Sequence, residues 1–274
     1  MNDALTPPTD RSPPDPLEAL ARLLETMAAL RGPDGCPWDR EQTHRSLLPF
    51  LVEEAYELIE AAETGDDAAL REELGDVLLQ VVFHAQVGAE RGAFDFAAVA
   101  AGLASKLRER HPHVFGGTAL ASADAVNAAW HARKMRTRES ALDGIPGGLP
   151  ALQWAHQVSA RAARSGFDWN HRGEILAKAA EELEEFRQAL EAPPDAPPPE
   201  DAEAELGDLL FAMVQLARWQ RIDPEAALRR ATRKFSARFR HMEATLRARG
   251  TPTDAQDADA WWALWAEAQA AEQP

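Results

Sequence analysis

Glu53-Glu54-Ala55-Tyr56-Glu57 and, further on, Glu73-Leu74-Gly75-Asp76 carry two acidic pairs, Glu54/Glu57 and Glu73/Asp76, each at i,i+3 spacing. On a helix the two members of such a pair project from one face. At about 100° per residue, Leu47, Phe50, Leu51, Glu54, Glu57, Leu58 and Ala61 fall in one stripe, with Glu53 and Glu60 on its flank. The carboxylates therefore interrupt the apolar side of the helix. The segment from Asp76 to Phe83 is apolar nearly all round, which reads as a buried helix with Glu73 and Asp76 at its start. Burying an ionised carboxylate costs several kcal/mol unless a cation compensates, so four inward acids imply a bound cation.

The arrangement occurs twice. Glu181-Glu182-Leu183-Glu184-Glu185 and Glu205-Leu206-Gly207-Asp208 repeat it, and the match extends beyond the acids. Gly35-Cys36-Pro37-Trp38 precedes the first copy and Gly166-Phe167-Asp168-Trp169 the second. Lys106 and Arg110 answer to Lys234 and Arg238, and Trp130 with Lys134 to Trp265 with Gln269. Corresponding positions lie 128 to 135 residues apart, the mark of a tandem duplication with small insertions.

The 274 residues are 45% hydrophobic and contain no uninterrupted apolar run long enough to span a bilayer, so a globular, non-membrane protein is expected. Residues 1–16, rich in proline, read as a disordered tail without the order of a targeting signal. A lone cysteine, Cys36, excludes an intramolecular disulfide and suits a reducing cytoplasm. The net charge of −16 argues against binding a nucleic acid polymer through its phosphates.

Helical periodicity runs through the chain and strand signals are nearly absent, which predicts an all-α fold of two helical bundles. Helices are expected over 17–30, from a cap at Thr43 or Ser46 through the first acids to a short turn at Thr64 to Asp67, from that turn through Glu73 and Asp76 to about Ala89, over 94–110 and over 124–139. Gly35 to Trp38 reads as a loop, and His111 and His113 as a turn beside Pro112. Asp143 to Pro150 breaks helix repeatedly, placing the domains at 17–139 and 140–274. Pro193 to Pro199 reads as a solvated polyproline-like excursion between the second pair of acidic helices.

Oxygen ligands alone, without histidine or thiol, suit Mg²⁺, with Mn²⁺ as a substitute, and suit iron less well. Lysine and arginine one turn apart hold phosphate oxygens, and tryptophan stacks on a base. Of only four lysines against 25 arginines, Lys106, Lys134 and Lys234 stand at repeated motif positions. Trp38 and Trp169 read equally as packing residues or as substrate contacts, and Cys36 as a small buried residue.

Glu-Glu-x-x-Glu, Glu-x-x-Asp, the Gly35-Cys36-Pro37-Trp38-Asp39 loop, Arg110-His111-Pro112-His113-Val114-Phe115 and the Gly166-Phe167-Asp168-Trp169 stretch together resemble the MazG nucleoside triphosphate pyrophosphohydrolases, over about residues 17–270. The resemblance implies a homodimer of helical bundles that cleaves a nucleoside triphosphate between the α and β phosphates with Mg²⁺ on the acidic tetrad. In two-repeat members it assigns catalysis to the C-terminal copy. By position Glu182, Glu185, Glu205 and Asp208 then hold metal, and Lys234, Arg238, Trp265 and Trp169 the nucleotide. Glu54, Glu57, Glu73 and Asp76, with Lys106, Arg110, Trp130, Lys134 and Trp38, are their first-copy counterparts. Gln269 departs from the pattern, standing where the first copy has Lys134. Glu181 and Glu53, flanking the tetrads, are candidate general bases. The competing reading is a regulatory or scaffolding module whose tetrads hold structural cations.

Overall fold

The computed structural model describes residues 15–116, 139–191, 200–253 and 256–271, and among them every regular element is helical. The chain divides into two compact units, Met1–Val126 and Asn127–Pro274.

The first unit is built from α1 (Pro16–Arg31), α2 (Pro37–Glu41), α3 (Leu48–Thr64), α4 (Asp67–Glu90), α5 (Phe96–Arg110) and α6 (Pro112–Phe115). Asp15 caps α1 by accepting the Leu17 N–H at 3.0 Å, with Pro16 at the first helical position where its missing donor costs nothing. The Gly35 to Trp38 stretch is not wholly a loop, because Pro37 starts the short helix α2. Neither Thr43 nor Ser46 caps the acidic helix. They exchange hydrogen bonds in the preceding turn, Thr43 N to Ser46 Oγ at 2.9 Å and Ser46 N to Thr43 Oγ1 at 3.2 Å, and α3 begins after Leu47 without a side-chain cap. Gly65 ends α3 at φ 74°, a left-handed conformation that favours glycine. Asp66 then caps α4 by accepting from Ala68 and Ala69, so the acidic helices form a tight hairpin.

Met27, Leu47, Val82, Phe83 and Val87 form this unit's core. Arg31 closes one end with a bidentate pair of 2.7 Å bonds to Glu90, a bond to the Gln42 carbonyl and its guanidinium 5.3 Å over Phe83. His44 and His84 lie against the same face, their Nδ1 atoms 2.8 Å apart. Burial, and then the neighbouring His44, hold the His84 imidazole below its usual 6.5. The folded state then binds fewer protons than the unfolded one just below that value, so stability is lost as pH falls through it. His84→Leu, which copies Leu216 of the second unit, should shrink the drop in melting temperature between pH 7.5 and 5.5. An unchanged pH profile would contradict this.

The second unit has α7 (Ala151–Arg164), α8 (Arg172–Ala189), α9 (Glu200–Trp219), α10 (Pro224–Arg249) and α11 (Ala258–Ala271). Helices α8 and α9 pack together most extensively, and α7 lies across α9. Met242, Leu246, Leu264 and Ala268 join α10 to α11 under Trp261 and Trp265. The duplication is legible in the packing. Leu47 and Ile175 are both fully buried, as are Val82 and Val214 at the matching place on the next helix.

The expectation that α4 is buried on all sides is overturned. Leu74, Leu78 and Val81 are exposed, and so are Leu206, Leu210 and Met213 at the same positions of α9. Each is a stripe at i, i+4, i+7. The reason is that each unit covers only one flank of its acidic hairpin. Residues 124–138 of the helix expected over 124–139, and the Pro193 to Pro199 segment, lie outside the described residues.

Candidate metal and nucleotide site

Helix α3 brings Glu54 and Glu57 to the start of α4, where Glu73 meets them. One carboxylate oxygen from each lies within 4.8 Å of the others, a group of the kind that holds a metal ion. In the second unit Glu182, Glu205 and Asp208 meet within the same 4.8 Å. Each unit thus assembles three of its four expected acids, the fourth being Asp76 or Glu185. The fourth remains close enough to act electrostatically. Burial, followed by the charges of Asp76, Glu57, Glu53 and Glu73, raises the Glu54 carboxyl above its ordinary value. Burial, then Glu57, Asp76 and Glu72, does the same to Glu73. Burial, with Glu182, Glu205 and Glu181 against an opposing Lys178, raises Glu185. Like charges crowded in this way are relieved by a cation, and hard oxygen donors without nitrogen or sulfur match a divalent ion of the Mg²⁺ type.

The inward burial expected of all these acids holds only in part. Glu182 is buried, Glu54, Glu73, Asp76 and Glu205 are half-buried, and Glu57, Glu185 and Asp208 are exposed. Several of the acids are therefore accessible from solvent, consistent with a site that takes a ligand as well as an ion.

Lys178 has no part in the motif pattern, yet its ammonium sits 2.7 Å from Glu182 and 2.7 Å from Glu181. It stands in the second cluster as a built-in counter-charge, and the bonds it donates to Glu181 and then to Glu182 raise its pKa. Glu181, a candidate base, is thereby engaged; it and Glu53 in the first unit are both exposed. A cation entering at Glu182 competes with this ammonium. Lys178→Met should therefore raise Mg²⁺ affinity by about tenfold, the value of one charge-assisted bond. Calorimetric titration reading the parent affinity would refute that.

Of the other candidates, Arg238 and Trp265 are brought together, with the guanidinium carbon 5.1 Å from the indole. Phe235 adds a ring contact to Trp265 at 5.3 Å, and Lys234 stands exposed one turn before Arg238. Gln269 is exposed on α11. Lys106 and Arg110 are exposed on α5, while Trp130 and Lys134 lie outside the described residues. Trp38 is 52% exposed and meets Phe50 edge-on at 5.7 Å. Trp169 donates its indole N–H to Gln215 Oε1 at 2.5 Å. It lines a pocket of about 590 Å³ with Phe167, Asp168, Asn170, Glu174 and Gln215. Arg218 and Trp219 hold Asp168 in place, the indole bond measuring 3.1 Å.

Among known proteins, the model of the MazG nucleotide pyrophosphohydrolase domain matches residues 42–115 and again 172–243, one match per unit. A nucleoside triphosphate pyrophosphohydrolase/pyrophosphatase MazG of Thermotoga maritima is 46% identical over 81% of this chain and 84% of its own length. A nucleoside triphosphate pyrophosphohydrolase of Escherichia coli K12 is 41% identical over 91% and 96%. YabN of Bacillus subtilis, an uncharacterized protein, is 41% identical over 89% of this chain but half of its own.

Proposed function

The chain belongs to the MazG nucleotide pyrophosphohydrolase family, and from that premise we propose that it hydrolyses nucleoside triphosphates between the α and β phosphates, with Mg²⁺ held by the acidic clusters. The observation that carries this is the convergence of Glu182, Glu205 and Asp208 within 4.8 Å. A divalent ion bound there supplies Lewis-acid stabilisation of phosphoryl charge and a more acidic water. The chain's own groups do the rest. Glu182, Glu185, Glu205 and Asp208 hold the ion, and Lys234 and Arg238 bind phosphate oxygens as pyrophosphate departs. Glu181 accepts the proton of the attacking water once its tie to Lys178 is released.

The C-terminal unit is the working one in this reading. Its cluster contains the buried Glu182 and carries Lys178, and the unit has the pocket beside Trp169. The exposed stripes on α4 and α9 support a homodimer in which each hairpin packs on its counterpart. Among the described residues no helix is long and apolar enough to cross a membrane, and the proposed setting is the cytoplasm.

The test is pyrophosphate release from each of the eight common triphosphates, before and after chelation by EDTA. Release should vanish with EDTA and return with excess Mg²⁺. Release indifferent to the chelator would overturn the metal-dependent reading.

A further inference from the structure

The two acid clusters stand in different company. Leu47 answers to Ile175 and Glu54 to Glu182, each 128 residues on, so Phe50 stands where the second unit has Lys178. In the second unit that ammonium lies 2.7 Å from Glu182 and 2.7 Å from Glu181. In the first an apolar ring takes its place, met edge-on by Trp38 at 5.7 Å. The charges acting on Glu54 and on Glu73 are those of other carboxylates.

Gln80 supplies what the second unit lacks. It is 4% exposed on α4, and among the described residues its Oε1 has no hydrogen-bond partner. A buried carbonyl left without a donor is costly, so such an atom in a folded protein points to a partner of another kind. Its direction follows from helix geometry. Glu73, Asp76 and Gln80 are spaced i, i+3, i+7 along one face. Helical side chains lean back towards the N-terminus, which carries the Gln80 amide towards Asp76 and the cluster. The matching position, 132 residues on as Asp208 is from Asp76, is Ala212, buried and without a polar side chain. One unit therefore pairs its acids with a neutral oxygen and no counter-charge, the other with an ammonium and no such oxygen.

Donor number and charge decide which ion suits each. Mg²⁺ gives up its waters reluctantly and is held through about one or two carboxylates together with substrate phosphates. Ca²⁺ takes about six to eight oxygens in flexible geometry, with carboxylates and glutamine carbonyls among its usual ligands. Glu54, Glu57 and Glu73 bring oxygens within 4.8 Å of one another, and a carboxylate can bind through both of its oxygens. With Asp76 and Gln80 they supply a calcium shell from protein atoms. Lys178 already offsets part of the second cluster, so an ion enters there against a resident ammonium.

We infer that Glu54, Glu57, Glu73, Asp76 and the Gln80 carbonyl form a resident Ca²⁺-selective site in the first unit, filled without nucleotide, whereas the second cluster takes its ion with the substrate. The site lies in the copy to which hydrolysis is not assigned, so it stands or falls apart from that reaction. It ties α3 to α4 through one ion, and calcium holds the first unit in shape while the second works with magnesium.

Calorimetric titration of the metal-free full chain, without nucleotide, should show one Ca²⁺ bound at least about tenfold more tightly than Mg²⁺. Ca²⁺ should also raise the melting temperature. Gln80→Ala, which copies Ala212, should weaken the Ca²⁺ affinity by about tenfold or more and shrink that rise. The ion-free variant should melt no lower than the parent, because a buried unpaired carbonyl has gone. Phe50→Lys, which copies Lys178, should weaken Ca²⁺ binding at least as much, and it decides the matter if Gln80→Ala does not fold. Glu205→Ala/Asp208→Ala, in the other unit, should leave the Ca²⁺ affinity unchanged. Ca²⁺ bound no more tightly than Mg²⁺, or an affinity untouched in folded Gln80→Ala or in Phe50→Lys, would overturn the inference and leave the hydrolase reading intact. A parent that binds Ca²⁺ in this way yet releases no pyrophosphate would keep the site and remove the hydrolase reading.

Discussion

Glu205→Ala/Asp208→Ala should lose pyrophosphate release by roughly a thousandfold or more while keeping its helical content. Both side chains belong to the cluster with Glu182, and with them gone that group of three is reduced to one. The fold should survive because Glu205 is half-buried and Asp208 exposed, and neither belongs to an apolar core cluster. Removing negative charge also relieves Glu185, whose carboxyl Glu205 helps to raise. Stability without Mg²⁺ should therefore hold or rise, and the gain in melting temperature on adding Mg²⁺ should shrink. The companion variant, Glu73→Ala/Asp76→Ala, should keep most of the activity if the second unit is the working one. If instead the first-unit variant is dead and the second-unit variant active, catalysis belongs to the N-terminal copy.

The second large effect concerns assembly. Leu210 is 48% exposed on α9, between Leu206 and Met213. In a two-fold dimer a residue on the interface counts twice. Replacing one leucine by glutamate forfeits about 1.5–3 kcal/mol of burial and adds a desolvated charge. Over two copies the loss is roughly 6–10 kcal/mol, enough to move a nanomolar dimer towards millimolar dissociation. Leu210→Glu should therefore sediment at the mass of one chain where the parent sediments at two. A parent that is already monomeric, or a variant that remains dimeric, would contradict the homodimer.

Much of this architecture was legible in the residues because charge on an apolar stripe is conspicuous, and a second copy at a near-constant offset removes coincidence. The hairpin caps at Gly65 and Asp66 were readable from turn chemistry for the same local reason. What escaped was set by tertiary contact. Thr43 and Ser46 have the chemistry of caps but bond to each other. The uniformly apolar run of α4 does not reveal that one flank stays open, since periodicity reports hydrophobicity and not what arrives to cover it. Lys178 went unremarked although it is the fourth of only four lysines, and its rarity was a usable signal. Gln215 was likewise hidden inside an apolar helix. Aligning it with Phe83 of the first copy would have exposed a polar group in place of core.

The same comparison explains why two copies of one design need not do the same work. Carboxylate clusters persist in both units, so both can attract a cation. The second unit has in addition the pocket of about 590 Å³ beside Trp169.

The most direct measurement is ³¹P nuclear magnetic resonance of the parent chain with one nucleoside triphosphate and excess Mg²⁺, with no other enzyme present. Hydrolysis between the α and β phosphates predicts nucleoside monophosphate and pyrophosphate appearing in equal amounts, with no diphosphate. Nucleoside diphosphate and orthophosphate appearing instead would contradict the account.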